Sequence, residues 1–192
     1  MVLDNNVRLR VTTARRVKAL NAVALVLVIL GVSIGIRRII PADLRGISPR
    51  ERSMIGSRVG GMAVKVLGDS GDAALDLSSG RVHVLFFYLN GCGVCKDQVS
   101  GWRRIRRRLL PDVEVHAISM SQSARAPYVD DAEIPEWVPV GPGALGENLR
   151  LTAVPATLVI DKEGIIRFAR VGLLTPSQEQ AVLRLAVAES GR

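Results

Sequence analysis

The first strong feature of the hydrophobic pattern is the run Ala19 to Ile36, broken only by Asn21 and Ser33. As a helix it is roughly 27 Å long. With Val17, Ile39 and Ile40 it reaches across a hydrocarbon core of about 30 Å. Polar, basic residues 1–18 precede it, and Arg37-Arg38 follow directly. A cleaved signal peptide would have a shorter apolar core and small residues at a cleavage site. Gly31-Val32-Ser33 is a poor match to that, so the pattern predicts an uncleaved, single-pass membrane anchor over 19–36. Residues 37–61, with Pro41, Pro49 and Gly60-Gly61, read as a linker.

From residue 62 to 192 the pattern is that of a globular domain. Met62–Leu67 is a short strand candidate, followed by a turn at Gly68-Asp69-Ser70-Gly71-Asp72. Arg81–Leu89 is almost continuously apolar, as in a strand buried on both faces. Over residues 93–110, Val99, Trp102, Ile105 and Leu109 recur near helical spacing, opposite an arginine-rich face. Val113–Met120 is a second buried strand. Residues 121–143 contain four prolines and read as a long loop that holds Trp137. A short helix is expected around Leu145–Leu151. Thr157–Ile160 and Ile165–Val171 form a hairpin through Asp161-Lys162-Glu163-Gly164. Thr175-Pro176-Ser177-Gln178 opens the last helix with a capping box. The strand–helix–strand unit implies a parallel pair with a right-handed crossover. The predicted fold is therefore α/β: a mixed sheet with helices on both faces, preceded by a transmembrane helix.

Charge adds to the membrane reading. The formal net charge is +8, from 26 Lys+Arg against 18 Asp+Glu. Much of the excess flanks the apolar run, which suits an anionic bilayer surface better than nucleic acid; no nucleic-acid partner is expected. Arg8, Arg10, Arg15, Arg16 and Lys18 precede the run, and Arg37, Arg38, Arg45, Arg50, Arg52 and Arg58 follow it. That near balance does not orient the chain. The short tail before the run and the domain after it favour a cytoplasmic N-terminus. The basic face Arg103 to Arg108 reads as a solvated helix surface or as a docking patch.

The chain has only 2 cysteines, Cys92 and Cys95. They lie where a buried strand passes into a helix. A thiol there faces unpaired backbone N–H groups and the positive end of the helix dipole. Both favour the thiolate, the nucleophile of disulfide exchange. Cys95, one turn on, is placed to resolve a mixed disulfide. Gly93 keeps the approach to Cys92 open. A zinc site at the pair would need two further ligands. The only histidines are His83 and His116, both within strands and far along the chain, so no metal or other cofactor is expected.

A second motif, Val154-Pro155-Ala156-Thr157, places a proline just before a strand, where a cis peptide bond is a candidate. Together with Gly91-Cys92-Gly93-Val94-Cys95-Lys96 and Gly164 to Gly172 it resembles the thioredoxin superfamily over roughly residues 62–190. The anchor and the Asp161–Gly164 turn resemble its membrane-tethered TlpA/ResA-like reductases. The resemblance implies a thioredoxin-like fold with Cys92 and Cys95 catalytic and Pro155 cis beside them. It implies that Val154, Pro155, Gly91 and Gly93 meet the substrate chain. The implied work is reduction of disulfide-containing proteins outside the cytoplasm, as in cytochrome c maturation, with a membrane electron donor restoring the dithiol. The domain would then stand on the periplasmic side of the cell membrane. Three positions depart from the family pattern: Gly91 replaces an aromatic residue, Gly93-Val94 lacks proline, and Phe86 stands where a buried carboxylate is usual. Asp97 or Glu147 are the remaining acids for that role. A copper chaperone on a similar fold is the main alternative, although no histidine occurs in 121–157. A peroxide-reducing relative is a third reading that Asn90-Gly91 does not favour.

Overall fold

The computed structural model describes residues 46–66, 72–109, 111–121, 126–130, 134–139, 149 and 151–191, within one unit running from Gly46 to Arg192. The basic tail, the expected membrane span 19–36 and the first part of the linker lie outside the described residues. So do the turn at 68–71 and the expected helix around 145–151, apart from Leu149 and Leu151. Among the described residues, no helix is long and apolar enough to cross a membrane.

In chain order the elements are α1 (Pro49–Met54), β1 (Met62–Val66), β2 (Asp72–Leu75), β3 (Val82–Tyr88), α2 (Gly93–Arg108), β4 (Val113–Ser119), α3 (Pro127–Asp130), β5 (Glu136–Pro139), β6 (Ala156–Ile160), β7 (Ile166–Val171) and α4 (Pro176–Ser190). The strands form one mixed sheet in the order β2-β1-β5-β4-β3-β6-β7. β3 is buried along its whole length, as its continuous apolar run requires of a central strand. It pairs in parallel with β4, and α2 makes the crossover. Antiparallel β6 and β7 complete that side as the expected hairpin.

The two faces are covered differently. Val82, Val84, Phe86 and Tyr88 of β3 share one core cluster with Trp102 and Ile105 of α2 and Ala181, Val182 and Ala186 of α4. Leu85 and Phe87 point the other way, as the twofold strand period demands, into a cluster with Met54, Val59, Ile118, Leu158 and Ile160. Helices do lie on both faces, but among the described residues the second face has only the short α1. Arg104, in the basic face of α2, is no free docking cation: its guanidinium binds the Glu179 carboxylate of α4 at 2.6 and 3.1 Å.

Four elements differ from the sequence reading. The 37–61 linker is corrected over its second half, where residues 46–61 belong to the folded unit. Ser48 caps α1 in a capping box with Glu51, and Pro49 fits the first turn. Glu51 is 2% exposed. It accepts a hydrogen bond from Val171 N at 2.6 Å and lies 3.5 Å from the Arg170 guanidinium, which pins α1 to β7. The loop 121–143 is corrected too, since it holds α3 and β5. β5 spans four residues and ends on Pro139, so tertiary pairing of Trp137 with Ile118 and Val66 places it, not local periodicity. β2 at the sheet edge is equally short and was not expected.

The β6–β7 turn is built around Asp161, whose side chain is 1% exposed. Its Oδ1 accepts from Glu163 N at 3.0 Å and Ile165 N at 2.8 Å, and its Oδ2 from Arg167 Nε at 2.6 Å. Gly164 in this turn has φ +78°, and a Cβ there would meet the Val59 carbonyl oxygen at 2.6 Å. That oxygen is backbone and cannot swing aside. Gly164→Ala is therefore expected to destabilise the domain by about 3 kcal/mol, combining left-handed strain and overlap. In thermal unfolding followed by circular dichroism this appears as a midpoint roughly 6–12 °C lower; an unchanged midpoint would contradict the packing of Val59 over the turn.

Candidate redox site

β3 ends at Tyr88, and the chain turns through Leu89, Asn90 and Gly91 into α2. Gly91 has φ +77°, a conformation that a residue with a Cβ adopts only under strain. Cys92 N donates to the Leu89 carbonyl at 3.2 Å, and the Tyr128 hydroxyl donates to the same oxygen. Tyr128 also meets Tyr88 edge-on, ring centroids 6.1 Å apart. Burial pushes its phenol pKa up, so the hydroxyl stays a donor at neutral pH. Tyr128 thus fixes the turn that presents Cys92. The sequence reading missed it because it lies in the proline-rich stretch read as loop.

Cys92 is the N-cap of α2. Its Sγ accepts a hydrogen bond from Cys95 N at 3.1 Å, and the first turn of α2 carries no acidic residue. Backbone donor and helix dipole together stabilise negative charge on this sulfur whenever the thiolate forms. Cys92 and Cys95 are joined as a disulfide, Cα–Cα 5.2 Å. The pair is asymmetric: Cys95 is 0% exposed, whereas Cys92 is only half-buried. Around Cys92 the surface is open. Apart from the adjoining residues and the helix's own backbone, nothing lies within 4 Å of a Cβ built on Gly91 or Gly93.

The Val154–Pro155 peptide bond is cis. Cys92 and Val154 both pack against the core cluster that contains Cys95, and Ala156, next to Pro155, pairs with Phe87 at the end of β3 that leads to Cys92. Pro155 is buried, and its carbonyl accepts from Gly172 N at 2.7 Å. Buried Gln98 of α2 then ties the next residues to the helix, its Oε1 accepting from Leu174 N at 2.6 Å. Leu173 stands exposed between these two bonds. It belongs to a pattern that sequence alone does not show. Large exposed hydrophobic side chains among the described residues are Leu89, Val94, Leu173 and Val187, and all but Val187 belong to the segments that carry Cys92 or adjoin Pro155.

Phe86 lies beneath this region, fully buried and stacked on Trp102 with centroids 5.0 Å apart. Of the two acids considered for a proton-accepting role, Asp97 is exposed on α2 and Glu147 lies outside the described residues. Lys96 is likewise exposed.

No family model and no curated protein sequence matches this chain. Solved structures do. The thioredoxin domain of a thiol-disulfide oxidoreductase from Bacteroides vulgatus superposes with TM-score 0.53 at 12% identity, covering 69% of this chain and 97% of that one. A thiol:disulfide interchange protein from a Bacteroides species gives 0.55 at 13% identity, covering 72% and 94%. A thiol-disulfide isomerase from Corynebacterium glutamicum gives 0.53 at 16% identity, covering 71% and 97%. At these identities the likeness shows the fold. The domain is thioredoxin-like, with a Cys-x-x-Cys disulfide at the start of a helix, and solved structures that share its fold are of thiol-disulfide oxidoreductases.

Proposed function

We propose that this chain is a membrane-tethered thiol–disulfide oxidoreductase that reduces disulfides of proteins outside the cytoplasm. The observation that carries the reading is the asymmetry of the pair, an accessible sulfur at a helix N-terminus backed by a buried one. In the reduced state the Cys92 thiolate attacks one sulfur of a client disulfide. That S–S bond breaks, a mixed disulfide forms, and the departing client sulfur takes up a proton. Cys95, deprotonated, then attacks Cys92 Sγ and releases the second client thiol. The chain is left as the closed disulfide, and two electrons have passed to the client. A membrane dithiol donor returns the pair to the reduced state. No cofactor takes part.

Leu89, Val94 and Leu173 give the client an apolar shelf beside the sulfurs, and Val154 offers backbone for an extended segment. A protein chain suits this surface better than a small disulfide. Apocytochrome c, with its paired cysteines, is one such client class. The apolar run 19–36 with its basic flanks supports tethering, and the short tail before it with the domain after it supports the periplasmic side for the domain.

The direct experiment uses the full chain in mild detergent. With dithiothreitol as reductant, it should accelerate insulin disulfide reduction; a rate equal to dithiothreitol alone would sink the proposal. Equilibration against glutathione gives the direction of exchange. A potential near about −270 mV marks a reductant and one near about −120 mV an oxidant. Side and tethering are checked in intact cells: a membrane-impermeant thiol reagent should label Cys92 after mild reduction, and labelling only after lysis would contradict the extracytoplasmic placement.

A further inference from the structure

A second group of ligand-type side chains converges on the other face of the sheet, near the start of β3. His83 and Glu114 are register partners on β3 and β4, and His116 is the next residue on that face of β4. Glu114 Oε2 lies 3.4 Å from His83 Nδ1 and 3.4 Å from His116 Nε2. Neither contact has hydrogen-bond geometry, so both ring nitrogens are buried with no hydrogen-bond partner. His83 is 0% and His116 7% exposed. The three donor atoms lie within 4.8 Å of one another. Two buried nitrogens that stand 3.4 Å from one carboxylate oxygen without bonding to it need an explanation.

We propose that His83, Glu114 and His116 form a binding site for a zinc-type transition-metal dication, separate from the cysteine pair. Two bonds of about 2.1 Å at a tetrahedral angle place neighbouring donor atoms about 3.4 Å apart, the spacing found on both sides of Glu114. Outer groups already orient two of the three ligands, His83 and Glu114, while His116 Nδ1 is buried with no hydrogen-bond partner. Ser79 Oγ is 3.1 Å from His83 Nε2; by accepting that N–H it leaves Nδ1, 3.4 Å from Glu114 Oε2, as the nitrogen with the free lone pair. Arg81 Nε lies 3.2 Å from Glu114 Oε1, which keeps Oε2 turned to the imidazoles. The Trp137 ring meets His116 edge-on at 5.7 Å and shields that side.

The Glu114 side chain is 30% exposed and gives the ion a way in. Imidazole with carboxylate favours zinc, cobalt, nickel or copper over magnesium or calcium, which take oxygen donors. Three protein ligands leave a position for water or a further ligand. About 16 Å of strand separates His83 from Tyr88 at the redox end, so metal here clamps β3 to β4 without occupying the sulfurs. Sequence reading assigned no metal because it sought ligands for the cysteines and treated each histidine singly. Parallel pairing of β3 and β4 is what joins them.

The test uses the full chain in detergent, oxidised so that Cys92 and Cys95 cannot ligate. Titration with Co²⁺ should saturate at one ion per chain with visible d–d absorption, which Zn²⁺ displaces. Zn²⁺ should raise the thermal midpoint by mass action. Glu114→Gln and His116→Gln should each weaken binding at least about tenfold, while a Cys92→Ser, Cys95→Ser double variant binds like wild type. Melting in EDTA shows whether the variants fold; should His116→Gln not fold, the half-buried Glu114 position carries the comparison. No stoichiometric uptake by wild type, or uptake untouched in Glu114→Gln, overturns the site.

Discussion

Cys92→Ser is expected to reduce disulfide-exchange turnover by on the order of 10³ or more, to the rate of the reductant alone. A serine hydroxyl is not ionised at neutral pH and forms no covalent bond with a disulfide sulfur. The backbone donor from Cys95 and the dipole of α2 then have no thiolate to stabilise. Cys95→Ser should behave differently. Cys92 still attacks, but no buried thiol follows to resolve the product, so a mixed disulfide with the client accumulates. Non-reducing electrophoresis after quenching shows it as a higher-mass species that dithiothreitol removes. The pattern is diagnostic because a purely structural disulfide would give the same loss of stability in both variants and no trapped species. Equal turnover in Cys92→Ser and wild type would end the proposed mechanism. Trapping through Cys95 would instead reverse the roles, against the burial of Cys95.

How far the sequence reveals this site depends on the range of each interaction. Local patterns carry well. The apolar run of β3, the helical spacing of Val99, Trp102 and Ile105, and the capping box Thr175–Gln178 all appear as expected. The Cys92 N-cap follows from a strand–helix motif of a few residues, whereas the cis bond before Pro155 is what the family resemblance implies, the residues alone giving only a candidate. What escapes is set by partners distant in the chain. Ser48 and Glu51 spell a capping box, but six residues show no helical period, and the bond from Val171 N to Glu51 crosses far along the sequence. β5 exists because β4 and β1 flank it. Tyr128 gains its role only where its hydroxyl reaches Leu89. Leu173 reads as one more apolar residue until the Gly172–Pro155 bond brings it to the redox end. The departures at Gly91 and Phe86 were visible at once, yet their effect was not. The structure gives them physical content: Gly91 supplies the positive φ of the turn, and Phe86 supplies a stacking surface for Trp102.

That stacking surface leads to the largest stability effect expected from a single substitution. Trp102 is 0% exposed, lies on Phe86 with ring planes 21° apart, and donates from Nε1 to Thr157 Oγ1 at 3.4 Å. It therefore joins α2 to β3 and to β6, two residues beyond Pro155. Trp102→Ala should leave a cavity too large to collapse and remove the only donor described for Thr157 Oγ1, itself in a residue 1% exposed. The expected cost is about 3–5 kcal/mol, seen as a thermal midpoint lower by roughly 6–20 °C. Trp102→Phe retains the stack and most of the volume and should lose only about 1–2 kcal/mol. The two variants also separate packing from chemistry. Trp102 sits about two turns along α2 from Cys95, so Trp102→Phe should keep exchange activity near wild type well below its melting temperature. Trp102→Ala, measured where it is still folded, should lose activity because α2 is no longer held in register with the Val154–Pro155 segment. Raising the temperature should widen that loss steeply, since the destabilised variant unfolds first. Equal melting of Trp102→Ala and wild type would mean that the contact between α2 and the sheet is carried elsewhere, by Val99 and Ile105.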